Sequence, residues 1–144
     1  MPDHVTNYES AASAPALAQR FPLAMISPPA RNFLNSSFVN VKSLRDIEGE
    51  PIVEVHAADA RGRGIADGAM VRVFNDRGSY LCRARISPRA RPGVVNGLGV
   101  WWRKLGAAGS NVNEVTHQRL TDIGRAPSFY DCLVEVCPAD IAVS

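Results

Sequence analysis

The histidines and cysteines of this chain are the side chains best able to ligate a metal or to act as nucleophiles. They are His4, His56, His117, Cys82, Cys132 and Cys137. Their spacing matches no metal motif, and no Cys-x-x-Cys pair occurs. An odd number of cysteines argues against a disulfide framework, and thiols on apolar strands are typically buried. We therefore expect no metal ligand and no catalytic residue here.

Two polar stretches carry side chains that favour hydrogen bonding over acid–base chemistry. Residues 27–40 and 109–124 are rich in Asn, Ser and Thr, and the second also holds His117, which could contact an anion. Neutral amides, hydroxyls and loop N–H groups can bind a polar heterocycle and its phosphates. The whole of 103–128 lacks periodicity, which is typical of a disordered or a functional loop. This pattern predicts a binding module rather than a reaction centre.

Glycines and tryptophans supply weaker signals. Gly97-Leu98-Gly99 lacks the third glycine of a dinucleotide motif, and no phosphate-loop Lys-Ser/Thr occurs. The Gly78-Ser79 pair could undergo self-cleavage to a pyruvoyl group, but its place in a tight turn gives the glycine a structural role. Trp101 and Trp102 are adjacent, so one indole could be core while the other stacks on a heteroaromatic ring. Simple packing of both is an equally good interpretation.

Length, composition and charge limit the class of protein. The 144 residues suit one domain, and 46% apolar residues allow a packed core. A net charge of +2 indicates no nucleic-acid partner. Residues 61–104 carry ten basic and two acidic groups, and this excess is either a phosphate-binding face or, as we favour, arginines on solvated strands. We see neither a membrane-spanning stretch nor a secretion signal, and the compartment stays open.

Hydrophobic alternation predicts six short strands. They cover residues 21–27, 52–55, 70–74, 79–86, 94–98 and 132–136. The third and fourth form a hairpin around Asn75-Asp76-Arg77-Gly78, in which Gly78 is expected to supply a positive φ. His56 is predicted to cap a helix of about two turns that ends at Gly64, and 41–47 to form one or two helical turns. Residues 1–20 are predicted to be a flexible tail or former linker, and 21–144 a small β-barrel domain with helical crossovers.

A series of short matches in the same order relates the chain to a known family. They are ISP at 26–28 with NSSF at 35–38, PIVEVHAADA at 51–60, RGIADG at 63–68, VRVFNDRG at 71–78, RPGVV at 91–95, WW at 101–102, NVN at 111–113 with Thr116, and TD at 121–122 through YDCLVEV at 130–136. From Phe21 to Val136 the chain resembles the C-terminal molybdopterin-dinucleotide-binding domain of molybdopterin oxidoreductases, the superfamily of dimethyl sulfoxide reductase and formate dehydrogenase. Pro29 and Asn35 stand where the family often has histidine, and Val100 separates Gly99 from the tryptophan pair.

The resemblance implies a mainly β fold, a double-psi β-barrel with short crossover helices. It implies that the polar loops clasp molybdopterin guanine dinucleotide carrying molybdenum or tungsten, shared with the remaining domains of a parent oxidoreductase. The metal ligand of the family comes from another domain. The residues expected to contact the cofactor are Ser27, Arg31, Asn32, Asn35, Ser36, Ser37, Trp101, Trp102, Asn111, Asn113, Thr116, Gln118 and Arg119.

A second hypothesis treats the chain as a stand-alone double-psi barrel that binds protein segments. Its contact surface would be the basic region 61–104. The long Asn- and Thr-rich loop argues against this hypothesis, because such a module has less reason to keep it.

Overall fold

The structure, a computed structural model, describes residues 4–106 and 108–139. Residues 1–3 of the predicted tail, and 107 and 140–144 of the predicted domain, lie outside the described residues. The strands are β1 (Leu23–Ile26), β2 (Ile52–Val55), β3 (Met70–Phe74), β4 (Ser79–Ile86), β5 (Val94–Leu98) and β6 (Cys132–Pro138). The helices are α1 (Pro15–Arg20), α2 (Lys42–Glu48) and α3 (Ala57–Gly62), and two 3₁₀ turns span Arg103–Leu105 and Val112–Glu114. Strands β2 to β5 have the predicted bounds, since their alternation is a local property of the sequence.

The six strands close into a barrel in the order β1-β5-β2-β4-β3-β6. Two neighbouring pairs are parallel, β1 with β5 and β2 with β4, and the other four pairs are antiparallel. This closed, mainly β barrel with short helices confirms the predicted fold, a double-psi β-barrel. Among the described residues, no helix has both the length and the apolar character needed to cross a bilayer.

Inward-facing aliphatic side chains fill the barrel. Val71 and Val73 of β3 and Val53 of β2 are fully buried, whereas Arg72 between the two β3 valines is exposed. Cys82 and Cys132 lie in the same interior, as expected for small apolar side chains. Burial raises the pKa of Cys82 to about 12 and that of Cys132 to about 11. Both therefore remain neutral thiols within the core.

The β3–β4 hairpin forms as predicted, but the role predicted for Gly78 is wrong. Gly78 is absent from the residues with positive φ. A Cβ built at this position would lie 2.9 Å from the carbonyl oxygen of Glu114. The glycine is needed because the polar loop passes directly over the turn, which is a long-range contact that turn chemistry does not reveal.

Helix α3 follows the predicted capping pattern and ties the barrel together. Nδ1 of His56 accepts a hydrogen bond from the N–H of Ala58 at 3.2 Å, which caps the helix. Gly64 has φ +65° beyond the helix end, as predicted. Arg63 then forms a salt bridge with Glu135 on β6, and both side chains are mostly buried. Helix α3 therefore has a structural role, as part of the connection between β2 and β3.

The N-terminal segment lies against the barrel. The backbone N–H of Tyr8 donates to Asp131, and Glu9 forms a salt bridge with Arg77 in the β3–β4 turn. Further along, Arg20 at the end of α1 pairs with Asp76 of the same turn. These contacts belong to the segment for which the sequence predicts a tail.

Candidate functional site

Both polar loops leave the barrel at the same end. Strands β1 and β5 are adjacent and parallel, with Ile26 opposite Asn96. The loop that follows β1 and the loop that follows β5 therefore emerge side by side. This geometry brings the predicted loops together although they are far apart in the sequence.

Backbone hydrogen bonds keep the two loops joined beyond the strand ends. The N–H of Ala30 donates to the carbonyl of Gly99 at 2.7 Å, and the N–H of Gly99 donates to Pro28 at 3.0 Å. The N–H of Val100 donates to the carbonyl of Asn35 at 3.2 Å. The loops thus form one continuous rim at this end of the barrel.

Packing of aromatic side chains supports this rim. Trp101 is buried and meets Phe33 edge to face, with ring centroids 5.1 Å apart, in a small cluster with Ala30 and Val39. Nε1 of Trp102 donates to the carbonyl of Ser36 at 2.7 Å. The two tryptophans therefore fasten one loop to the other.

A groove runs between the loops in two adjoining lobes. The near lobe has a volume of about 260 Å³ and is lined by Ser27, Asn35, Val100, Asn113, Phe129 and Tyr130. The far lobe has a volume of about 430 Å³ and is lined by Asn113, Thr116, His117, Gln118, Leu120, Pro127 and Phe129. Asn113 and Phe129 line both lobes, so the two lobes lie next to each other. Asn35 and Asn113, from different loops, face the same space.

Several polar groups in the groove have no protein partner. Within residues 4–106 and 108–139, no hydrogen bond engages the side-chain amides of Asn35 and Asn113. Asn35 has φ +51°, a left-handed conformation that asparagine tolerates better than most residues. The backbone of Asn113 is fixed in turn by Asn111, whose Oδ1 accepts from the N–H of Asn113 at 3.0 Å. The two free amides are therefore presented on a constrained backbone.

The ring of His117 lies at the far lobe and carries a buried nitrogen. Its Nδ1 accepts from the backbone N–H of Arg119 at 3.2 Å, so in the neutral ring the proton is on Nε2. Nε2 is buried and is the sole buried side-chain nitrogen or oxygen without a partner in the described part of the chain. Buried polar groups normally find a partner. This histidine was noted from its sequence position but not counted among the predicted contacts.

Five of the predicted contacts line the groove, namely Ser27, Asn35, Asn113, Thr116 and Gln118. The others support it or lie apart. The amide of Asn32 donates to Glu48, that of Asn111 donates to the carbonyl of Trp101, and the carbonyl of Ser36 binds Trp102. Trp101 is core, Lys104 covers the ring of Trp102, and Arg119 stacks on Tyr8. Arg31 and Ser37 are exposed on the first loop.

The sequence interpretation omitted the aromatic wall of the groove. Phe129 and Tyr130 pack edge to face, with centroids 4.6 Å apart, and Tyr130 is 49% exposed. Adjacent aromatics directly before β6 are a signal that could have identified them. Among residues 4–106 and 108–139, no three His, Cys, Asp or Glu side chains assemble as a metal site.

Comparison with known proteins assigns this architecture to a family. Residues 23–133 match the model described as "Molydopterin dinucleotide binding domain". The chain is 32% identical over 124 residues to dimethyl sulfoxide reductase DmsA of Escherichia coli, covering 83% of this chain and 15% of that protein. It is 37% identical over 108 residues to dimethyl sulfoxide/trimethylamine N-oxide reductase of Cereibacter sphaeroides, covering 72% of this chain and 13% of that protein. The chain thus spans about one seventh of these relatives.

A solved structure agrees in fold. Acetylene hydratase from Pelobacter acetylenicus superimposes with a TM-score of 0.82 at 17% identity, covering 96% of this chain and 21% of that chain. The match to the family model covers both loops of the groove and all strands from β1 to β5. The chain belongs to the molybdopterin-dinucleotide-binding domain family, the cofactor-binding domain of molybdopterin oxidoreductases such as dimethyl sulfoxide reductase.

Proposed function

We propose that the groove between the two loops clasps one side of molybdopterin guanine dinucleotide in a molybdenum or tungsten oxidoreductase. The single observation that carries this proposal is the convergence of Asn35 and Asn113 on one groove, where neither side-chain amide has a partner among the described residues. Amides donate and accept in the plane of a heterocycle, which suits the edge of a pterin or guanine.

The donor set of the groove fits this cofactor. Ser27 offers a hydroxyl, Thr116 a hydroxyl oxygen that can still accept while its proton is donated to the Asn113 carbonyl, and Gln118 a further amide. These are neutral groups that bind polar rings and phosphate oxygens without supplying a strong acid or base. The aromatic wall offers an apolar face beside them. The bound metal–pterin group would supply the redox chemistry, and these residues bind and orient it.

The rest of the enzyme is expected to close the other side. The curated relatives are about seven times longer than the matched segment. We infer that the partner surfaces are the remaining domains of such an enzyme, which also hold the metal ligand. The activity and the substrate therefore depend on parts beyond this barrel.

Amide chemical-shift mapping with extracted molybdopterin guanine dinucleotide tests the assignment. Shifts are expected to concentrate on both lobes. Asn113→Ala should weaken binding by about 5- to 10-fold, the value of one hydrogen bond of about 1 kcal/mol or slightly more. Asn35→Gly, which keeps the left-handed backbone accessible, should act similarly.

Asn40→Ala is the matched control, since Asn40 is exposed on the same loop as Asn35 but outside the groove. It should leave affinity unchanged. Shifts confined to the opposite end of the barrel, or equal affinity for all three variants, would contradict the proposal. Recovery of peptide clients without any cofactor binding would instead favour the protein-interaction hypothesis.

A further inference from the structure

The N-terminal segment crosses the back of the far lobe. We call residues 5–13 the strap and residues 115–131, between the second 3₁₀ turn and β6, the far-lobe loop. The hydroxyl of Tyr8 donates to the carbonyl of Leu120 at 2.7 Å, and its N–H donates to Asp131 at 3.2 Å. One strap residue thus holds the middle and the end of the loop.

The ring of Tyr8 contacts the loop on two further sides. The guanidinium of Arg119 lies 5.1 Å from the ring centroid, and the His117 ring meets it edge to face at 5.7 Å. Cation–π and edge contacts of this kind favour one ring orientation. The tyrosine therefore touches the residues on both sides of Gln118, which lines the groove.

Glu9 fixes both ends of the same loop. Its carboxylate pairs with Arg77 through both oxygens, with Nη2 3.0 Å from Oε2, and also accepts the N–H of Leu133 at 3.0 Å. Nε of Arg77 donates to the carbonyl of Val115 at 2.7 Å. The Glu9 side chain is 11% exposed, so this pair is protected from solvent. Through Arg77, the carboxylate of Glu9 therefore connects Val115, the first residue of the far-lobe loop, to Leu133 in β6.

We propose that Tyr8 and Glu9 are positioning residues for the dinucleotide groove. The strap belongs to the binding unit and is not a free linker, because it fixes the beginning, the middle and the end of the loop that carries Thr116, His117 and Gln118. This inference rests on the proposed function for its consequence to ligand binding. The positioning of the loop itself can be measured without ligand.

Hydrogen exchange of the unliganded chain tests the positioning. The N–H of Thr121, bonded to Ala126, and the N–H of Ala126, bonded to the Thr121 hydroxyl, report on the loop. Tyr8→Ala and Glu9→Gln should accelerate their exchange by about tenfold or more, while amides of β2 and β4 keep their rates. Tyr8→Phe retains the ring contacts but loses the hydrogen bond to Leu120, so its exchange rates should lie between those of the wild type and Tyr8→Ala. Affinity for extracted dinucleotide should fall severalfold in the first two variants.

The pH profile distinguishes positioning from general loss of stability. Burial raises the pKa of Glu9, but the hydrogen bonds from Arg77 and from Leu133 N–H outweigh it, and the pKa falls below its ordinary value of 4.5. The titratable groups facing Glu9 are Arg77 from the turn, His117 from the loop and Cys132 from β6. In the wild type, ionised Glu9 should hold the loop fully when the pH is above 4.5, the ordinary pKa of a glutamate. The loop should be released as the pH falls through the lowered pKa of Glu9. Glu9→Gln should show no such step.

Glu50→Gln is the matched control, since Glu50 forms an exposed ion pair with Arg83 away from the groove. Unchanged Thr121 and Ala126 exchange in Glu9→Gln and Tyr8→Ala would overturn the proposal. So would an acceleration spread equally over β2 and β4. Failure of the wild-type chain to bind dinucleotide contradicts the proposed function alone, because the exchange result is obtained without ligand.

Discussion

Gly97 of β5 lies where the barrel interior leaves no space for a methyl group. A Cβ built on it would be 2.7 Å from the hydroxyl oxygen of Tyr80, 3.3 Å from Cγ2 of Val112 and 3.4 Å from the sulfur of Met25. Tyr80 is buried, and its hydroxyl contacts the Met25 sulfur at 3.9 Å and also hydrogen-bonds the thiol of Cys82. The substitution Gly97→Ala therefore forces a packed aromatic residue to move.

The expected change in the free energy of unfolding follows from two opposing effects. Overpacking costs about 1–3 kcal/mol, whereas alanine recovers about 0.4–1 kcal/mol by restricting the unfolded chain. We expect Gly97→Ala to destabilise the barrel by about 1–2 kcal/mol. Tyr80→Phe removes the clashing oxygen and loses weak contacts to the sulfur atoms of Met25 and Cys82, so it should cost about 1 kcal/mol by itself. The double variant should recover most of the loss, because the nearest remaining atom is then Cγ2 of Val112 at 3.3 Å, which needs to shift by only a few tenths of an ångström.

Urea unfolding of the four proteins, followed by tryptophan fluorescence, measures this coupling. The urea concentration at the unfolding midpoint should fall in Gly97→Ala and return towards the wild-type value in the double variant. The slope of the unfolding free energy against urea concentration should stay unchanged. A coupling energy of about 1 kcal/mol or more is expected, well above the roughly 0.3–0.5 kcal/mol seen between independent sites. Additive effects of the two substitutions would refute the reasoning, since they would mean that the hydroxyl of Tyr80 does not exclude the methyl group.

Two further predictions concern the hairpin turn and the thiols. Gly78→Ala should destabilise the chain by about 1–3 kcal/mol, because the new Cβ would lie 2.9 Å from the Glu114 carbonyl oxygen. Gly62→Ala is the control, since open space surrounds this glycine, and it should be neutral or slightly stabilising. Equal unfolding midpoints of the two variants in urea would contradict the contact. Iodoacetamide at pH 8 should label Cys137, which is partly exposed, because burial raises the pKa of Cys82 to about 12 and of Cys132 to about 11. Mass spectrometry of the native and urea-unfolded chain checks this, and equally fast labelling of Cys132 would count against a closed core.

Local patterns account for most of the barrel. Strand alternation gave the correct bounds for the β3–β4 hairpin, and a cap with a terminal glycine predicted α3 from His56 and Gly64. These features depend on residues within a few positions of each other. The closure of the strands into one barrel does not, and the double-psi β-barrel was predicted through the resemblance of short motifs along the chain.

The groove was only partly predictable because residue type does not reveal what a side chain contacts. Asn111 and Asn113 are equivalent in the sequence, yet the first amide supports the backbone at Trp101 while the second is free in the groove. Gly78 was assigned a turn role, although a loop residue more than thirty positions away explains it. Long-range contacts of this kind decide which polar residues remain available to a ligand.

The composition of the groove argues that this barrel holds its cofactor jointly with another surface. The side chains that line it with a polar group are Ser27, Asn35, Asn113, Thr116, His117 and Gln118. At about 1 kcal/mol net for each neutral hydrogen bond, they supply at most roughly 6 kcal/mol, against an association cost of about 4–15 kcal/mol. The balance favours binding by about 2 kcal/mol at best, so the isolated chain should bind the dinucleotide more weakly than the millimolar range. Tight binding of the cofactor therefore requires a second protein surface. The role of this barrel is to fix the orientation of a ligand that both surfaces hold.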